Sequence, residues 1–199
     1  MRILIVGASG TIGQAVASAL SAQHEIVKAA RSHGKFRVDI LDLGKVASLF
    51  KEVGRVDAVV CTAGNVHFGP LAMMSPEKLW IGLQDKLMGQ INLVLAGQTY
   101  LTDGGSFTLT SGSLGQMPVR EASSASMVNG ALESFVRAAA IELPRGLRIN
   151  AVSPTILRES MDAFGHYFQG YEPVPASRVA LAYVKSIGGA QTGEVYKVW

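Results

Sequence analysis

Met1-Arg-Ile-Leu-Ile-Val-Gly-Ala-Ser-Gly-Thr-Ile-Gly13 is the stretch on which the fold turns, an apolar run passing directly into a glycine-spaced turn. Ile3 to Val6 is continuously apolar, the pattern of a strand covered on both faces of a parallel sheet. Gly7, Gly10 and Gly13 stand where the backbone must approach a pyrophosphate and the next helix must sit close to the strand, and a Cβ obstructs both. The segment Thr11 to Leu20 then offers its N-terminus, with its partial positive charge, to the phosphates. Ser9, Thr11 and Ile12 join the three glycines as candidate binding residues. A glycine triplet is also simply a tight turn. Its position between a strand and a helix makes a bound dinucleotide the expectation.

The rest of the chain suits that expectation. With 199 residues, 48% hydrophobic and 17% charged, it can bury one substantial core and is not a disordered segment. The single Cys61 excludes an intramolecular disulfide and lies in an apolar stretch, as a core thiol would. No apolar run approaches the roughly 18 residues of a membrane span, and no signal-peptide pattern precedes the fold, so a cytoplasmic protein without membrane contact is expected. The net charge of +3 is spread along the sequence without a basic stripe, which suits an anionic cofactor and argues against nucleic acid. No metal site is expected.

Short apolar strands alternate with helical patterns, with no repeat, linker or low-complexity segment. That alternation predicts one α/β domain over residues 1–199, a doubly wound parallel sheet in three layers. The strands are placed at Arg2–Val6, Glu25–Ala30, Phe36–Val38, Ala58–Cys61, Gly105–Thr110, Arg148–Val152 and Glu194–Val198. The helices are placed at Thr11–Ala22, Leu43–Glu52, Pro76–Leu87, around Ile91–Tyr100, Ser124–Ile141 and Ala176–Ile187. Right-handed crossovers bring the turns at the carboxyl ends of the strands together as the ligand site.

Several local patterns occur in one order: the Gly7/Gly10/Gly13 turn, Asp39-Ile40, Ala63-Gly64, Ser111, Ile141-Glu142-Leu143 and Arg148-Ile-Asn-Ala-Val-Ser-Pro154. In this order the chain resembles the short-chain dehydrogenase/reductase family over nearly its whole length. The resemblance implies a Rossmann-type scaffold, with Asp39 at the adenine amino group, Ala63-Gly64 beside the adenine ribose and Pro154 to Ile156 along the nicotinamide carboxamide. For Asp39, a turn residue ahead of a helix is the competing reading. The second strand ends Ala29-Ala30-Arg31-Ser32-His33, where an NAD-selective protein carries an acidic residue. The Arg31 guanidinium and Ser32 hydroxyl suit a 2′-phosphate, so NADP(H) is expected over NAD(H), a solvated surface arginine being the alternative.

The catalytic strip departs from the family. Typical members carry a Tyr and a Lys four residues apart on the long helix, a Ser thirteen residues before the Tyr, and an Asn on an earlier helix. Stacked on one helical face, the ammonium lowers the phenol pKa for proton exchange with a carbonyl oxygen. Aligned on Gly130-Ala-Leu-Glu-Ser-Phe135, Ala125 stands at the Tyr position, Asn129 at the Lys position, Gly112 at the Ser position and Lys86 at the Asn position. Ser111 and Ser113 flank Gly112 and keep a hydroxyl within reach. Lys86 is either a displaced proton donor in a desolvated pocket or a surface lysine paired with Asp85. Asn129 can hold a water or a ribose hydroxyl but does not titrate. Thr155 replaces the Gly usual after the family's Pro. Glu159 to Pro175 falls on the family's substrate lid and is rich in aromatics, with His166 and Tyr167 as further candidate donors.

Lys86, Ser111 and Asn129 are therefore the candidate catalytic residues of an NADP(H)-dependent oxidoreductase moving a hydride to or from a small carbonyl or alcohol. A catalytically silent NADP(H)-binding sensor or partner protein is the second reading. Ala131, Leu132, Phe135, Ala138, Ala139 and Leu143 give the long helix the small and apolar positions for a homodimer or homotetramer, a pattern that burial within one chain also produces.

Overall fold

The apolar run at the N-terminus lies at the centre of the molecule. A computed structural model describes residues 1–199. Seven strands form one parallel sheet in the order β3-β2-β1-β4-β5-β6-β7. They are β1 Arg2–Val6, β2 Glu25–Ala30, β3 Phe36–Arg37, β4 Val56–Cys61, β5 Leu101–Thr110, β6 Arg148–Pro154 and β7 Val195–Val198. The winding reverses between β1 and β4, and a crevice opens there at the carboxyl ends of the strands.

The continuous hydrophobicity of β1 follows from its position. Ile3 and Ile5 enter the core under α1 (Thr11–Leu20) and α7 (Ala176–Gly188), while Leu4 and Val6 enter the opposite core under α2 (Leu43–Val53), α4 (Gly89–Gly97) and α5 (Ser123–Glu142). All four side chains are buried, and each contributes roughly 1.5–3 kcal/mol by leaving water. Cys61 at the end of β4 is also buried, and burial pushes its thiol up to about 12, so it is a packing residue.

Departures from the expected elements have local causes. β5 begins at Leu101 rather than Gly105, because the Arg145 guanidinium bonds the Leu101 carbonyl and Gly104 donates to the Arg145 carbonyl. The polar Thr102-Asp103-Gly104 stretch is thereby held in the strand. The helix expected over Pro76–Leu87 is α3 (Pro76–Gly82) followed by a π-helical turn, Leu83–Met88, that runs on into α4. Its wide turn is closed by the Gly89 N–H donating five residues back to the Gln84 carbonyl. The 159–175 segment contains a short α6 (Met161–Phe164). Glu159 ties this segment down by accepting from the Ala176 N–H at 3.0 and 3.2 Å.

The apolar pattern of α5 serves the chain's own core. Leu132 is fully buried, and Phe135, Ala139 and Leu143 pack against the same cluster. No helix is long and apolar enough to cross a membrane.

Candidate functional site

Two cavities adjoin at the carboxyl ends of the strands, sharing Thr62, Ala63 and Gly64 as their common wall. The first, of about 270 Å³, is lined by Gly7, Ser9, Gly10, Arg31, Asp39 and Ile40. The second, of about 260 Å³, is lined by Ile12, Lys86, Ser111, Pro154, Thr155 and Ile156 among others, with Phe68, Phe164 and Phe168 on its apolar side.

The glycine turn lies between β1 and α1, and its composition is required by contact. Gly7 sits at φ 87°, and a Cβ there would come within 2.8 Å of the Ala63 nitrogen. A Cβ on Gly13 would lie 2.2 Å from the Gly7 carbonyl oxygen. Gly10 faces open space apart from the Gly7 carbonyl at 3.5 Å, so it leaves a cradle that a side chain would fill. The amides of Thr11, Ile12 and Gly13 in the first turn of α1 have no protein acceptor, and no side chain caps them. Beside Pro154, the hydroxyls of Ser153 and Thr155 are buried without a partner. Unfilled donors at one end and the orphaned Thr155 hydroxyl in the second cavity's wall at the other fit a dinucleotide laid across both cavities.

Most of the sequence-derived binding residues line this pair of cavities, and three do not. Gly13 is buried under the turn, where it sets how closely α1 packs. Thr11 contributes only through the start of the helix. The Ser32 hydroxyl lies at the surface against His33 Nδ1 at 2.7 Å. Arg31 reaches the first cavity with its guanidinium 3.6 Å from the Asp39 carboxylate and most of its side chain exposed. Asp39 also accepts from the Leu41 N–H at 3.3 Å, so it serves both the turn and the cavity wall.

The three catalytic candidates meet at one point. The π-helical turn carries Lys86 inward, and its stem crosses Gly64, whose missing Cβ would stand 2.7 Å from Lys86 Cγ. Lys86 Nζ donates to Asn129 Oδ1 at 2.7 Å and to the Ser111 carbonyl at 2.9 Å. Asp85 does not pair with it, being bonded instead by Asn65 Nδ2 at 2.9 Å. Desolvation lowers the Lys86 ammonium from its ordinary value to about 8, opposed by the Cys61 and Glu133 groups nearby.

Ser111 enters this arrangement through its backbone. Its hydroxyl is turned toward Glu133 Oε1 at 3.0 Å and faces away from Lys86. The end of β5 that carries it is fixed by Gln90, which accepts from the Thr110 N–H at 2.8 Å and donates to the Thr110 carbonyl at 2.9 Å. Ala125, which the resemblance sets at the phenol's position, is buried in an apolar cluster with Leu114, Ala122, Ile156 and Phe168. Gly112 must lack a side chain because a Cβ would stand 2.9 Å from Asn129 Nδ2. His166 and Tyr167 line a separate surface depression with Arg120 and Glu121, outside the Lys86 cavity. Their neighbours Phe164 and Phe168 are the residues of the 159–175 segment whose aromatic rings reach it.

Gln90 and Glu133 escaped the sequence reading. Nothing local marks Gln90, a buried amide in an apolar helix. Glu133 carried a signal, because it follows Ala125 and Asn129 at steps of four and so shares their helical face.

Residues 7–192 match the sequence model of a family described as enoyl-(acyl carrier protein) reductase. The chain is similar to a short-chain dehydrogenase/reductase of Pestalotiopsis microspora, 29% identical over 160 residues, which cover 76% of this chain and 60% of that protein. It thus spans less than two thirds of that relative's length. Versicolorin reductase 1 of Aspergillus parasiticus is 27% identical over 185 residues, covering 79% of this chain and 70% of that one. Among solved structures, the protein lin1944 of Listeria innocua is 48% identical, with a TM-score of 0.98 and 100% of both chains covered. A small-chain dehydrogenase in complex with NADPH is 27% identical, with a TM-score of 0.90 over 100% of this chain and 96% of that one.

Proposed function

The chain belongs to the short-chain dehydrogenase/reductase family, and from that premise we propose that it is an NADP(H)-dependent oxidoreductase in which Lys86 takes over the proton-transfer role of the missing phenol. It acts, in this reading, as one dinucleotide-binding domain on a small carbonyl or alcohol. The observation that carries it is the ammonium of Lys86 in the cavity wall with two of its N–H groups bonded to fixed protein acceptors. A tetrahedral ammonium so held has a single N–H left for a ligand oxygen on the cavity side. After that proton leaves, the same direction holds the lone pair that recovers it.

The value of about 8 for Lys86 keeps both protonation states accessible near neutral pH, the condition for a group that must give and take a proton. Asn129 and the Ser111 carbonyl orient the nitrogen, and Gly64 gives its stem room to reach it. When bound, the nicotinamide supplies or accepts the hydride. Thr155 offers its unpaired hydroxyl beside the ring's place, and Arg31 supports a 2′-phosphate at the other end. Phe68, Phe164 and Phe168 favour an apolar or planar substrate.

Purified protein incubated with NADPH and a panel of carbonyls, enones and imines tests the reading. Oxidation of NADPH that disappears in Lys86→Met supports it. The second reading, a silent NADP(H)-binding sensor or partner, draws on the burial of Ala125 among apolar side chains, which leaves no phenol in the site. Tight NADPH binding with no turnover across the panel selects it. A homodimer or homotetramer remains part of the proposal, carried now by the exposed Met88, Leu95, Met127 and Ile141 on and beside α4 and α5. Light scattering after size exclusion tests it.

A further inference from the structure

Glu133 is a buried carboxylate that proton transfer by Lys86, as proposed above, does not use. It is 3% exposed and has no ion-pair partner. Its two oxygens accept from Ser111 Oγ and Gln116 Nε2, each at 3.0 Å, the acceptor-only pattern of an ionised carboxylate. Burying such a charge is costly unless a counter-charge or a set of donors answers it. Two neutral donors answer part of that cost. Arg137, Glu194 and Lys197 border the surface depression that Glu133 also lines, while on its inner side the Lys86 ammonium is the positive charge joined to it through Ser111, whose carbonyl accepts from Lys86 Nζ while its hydroxyl donates to Glu133.

We propose that Glu133 is a positioning residue for Lys86, a counter-charge that acts across Ser111 to keep the ammonium protonated and to hold the Ser111 carbonyl against it. The geometry has a sequence counterpart on α5, where Asn129 and Glu133 stand one turn apart, the first bonding Lys86 directly and the second bonding its other acceptor residue. Other titratable groups near the ammonium are the Cys61 thiol on β4 and the Asp85 carboxylate on the same π-helical turn. The thiol is held protonated by burial, and Asp85 is engaged by Asn65. Glu133 is therefore the buried negative charge facing Lys86 from α5.

The inference rests on Lys86 being the proton donor for its catalytic meaning, but its test does not. Competitive acetylation with acetic anhydride across a pH series, read at Lys86 by peptide mass spectrometry, gives the titration midpoint of that amine without substrate or turnover. In Glu133→Gln the midpoint falls by about one pH unit, because removing the opposite charge disfavours the ammonium. Glu133→Asp, which keeps the charge, restores at least half of that shift. Ser111→Ala keeps the carboxylate but releases it from the bridge, and it also lowers the midpoint, by less than Glu133→Gln does. An unchanged or raised midpoint in Glu133→Gln overturns the proposal, and where that variant does not fold, an unchanged or raised midpoint in Ser111→Ala does so. If Lys86→Met retains full turnover while the Glu133→Gln midpoint still moves, the functional reading fails and the coupling stands.

Discussion

The nucleotide end and the catalytic end of the crevice are built on different principles. At the β1–α1 turn the proposed cofactor would be met mainly by backbone, where Gly7, Gly10 and Gly13 clear space and the free amides of Thr11 to Gly13 offer donors. Across Thr62 to Gly64 it would be met mainly by side chains, brought from the π-helical turn and the middle of α5 and held by the end of β5. Backbone recognition constrains residue type tightly, because only glycine fits where a Cβ would stand 2.2 Å from a carbonyl oxygen. Side-chain recognition constrains only the final position of a functional group. Lys86 comes from the π-helical turn and Asn129 from the long helix, and they meet at 2.7 Å, which under the proposed reading exchanges the amine and the amide between helices relative to the family pattern.

The sharpest break of this comparison is Lys86→Met. Turnover of a carbonyl substrate falls by about 10²–10⁴-fold while NADPH affinity by calorimetry stays within about threefold, because a lost proton donor affects the reaction and leaves the phosphate grip alone. Equal losses of both would mean that the two ends are not separable. Gly13→Ala does the reverse. Its methyl group must displace the Gly7 carbonyl, so NADPH affinity drops by tenfold or more and urea denaturation shows a loss of about 2 kcal/mol.

Arg31→Ala is smaller and tests the cofactor alone. It lowers the ratio of NADPH to NADH affinity by about tenfold, the worth of one charge-assisted contact. An unaltered ratio would leave Arg31 as a surface charge paired with Asp39.

A further break concerns stability against pH. Lys86 titrates at about 8 in the folded chain against an ordinary lysine value of 10.5. Between those values the unfolded chain binds more protons, so this group's contribution to stability rises with pH across the window. Urea midpoints of the wild type minus those of Lys86→Met should therefore increase from pH 8 to 10.5 and be flat below.

What was legible in the sequence follows the same division. β1 and β2 begin and end where the pattern places them, and in β1 the reason is plain, because Ile3 to Val6 are buried on both faces of the sheet and read as one unbroken apolar run. The start of β5 was missed, since the arginine that secures it lies 44 residues further along the chain. The glycine turn was readable from its spacing, whereas the aromatic 159–175 segment was only half readable. Phe164 and Phe168 reach the cavity and His166 and Tyr167 do not, a choice made by the short helix and tight turns of that segment.

By itself the sequence determined the α/β alternation and the first turn, because each is a statement about residue type along a local period. Tertiary structure alone decided that Lys86 turns inward, that Ser111 contributes a carbonyl to it and a hydroxyl to Glu133, and that Ala125 is sealed from the cavity. Those outcomes depend on a wide helical turn, a strand end and a helix face converging from positions 25 and 43 residues apart, and no local pattern encodes that distance.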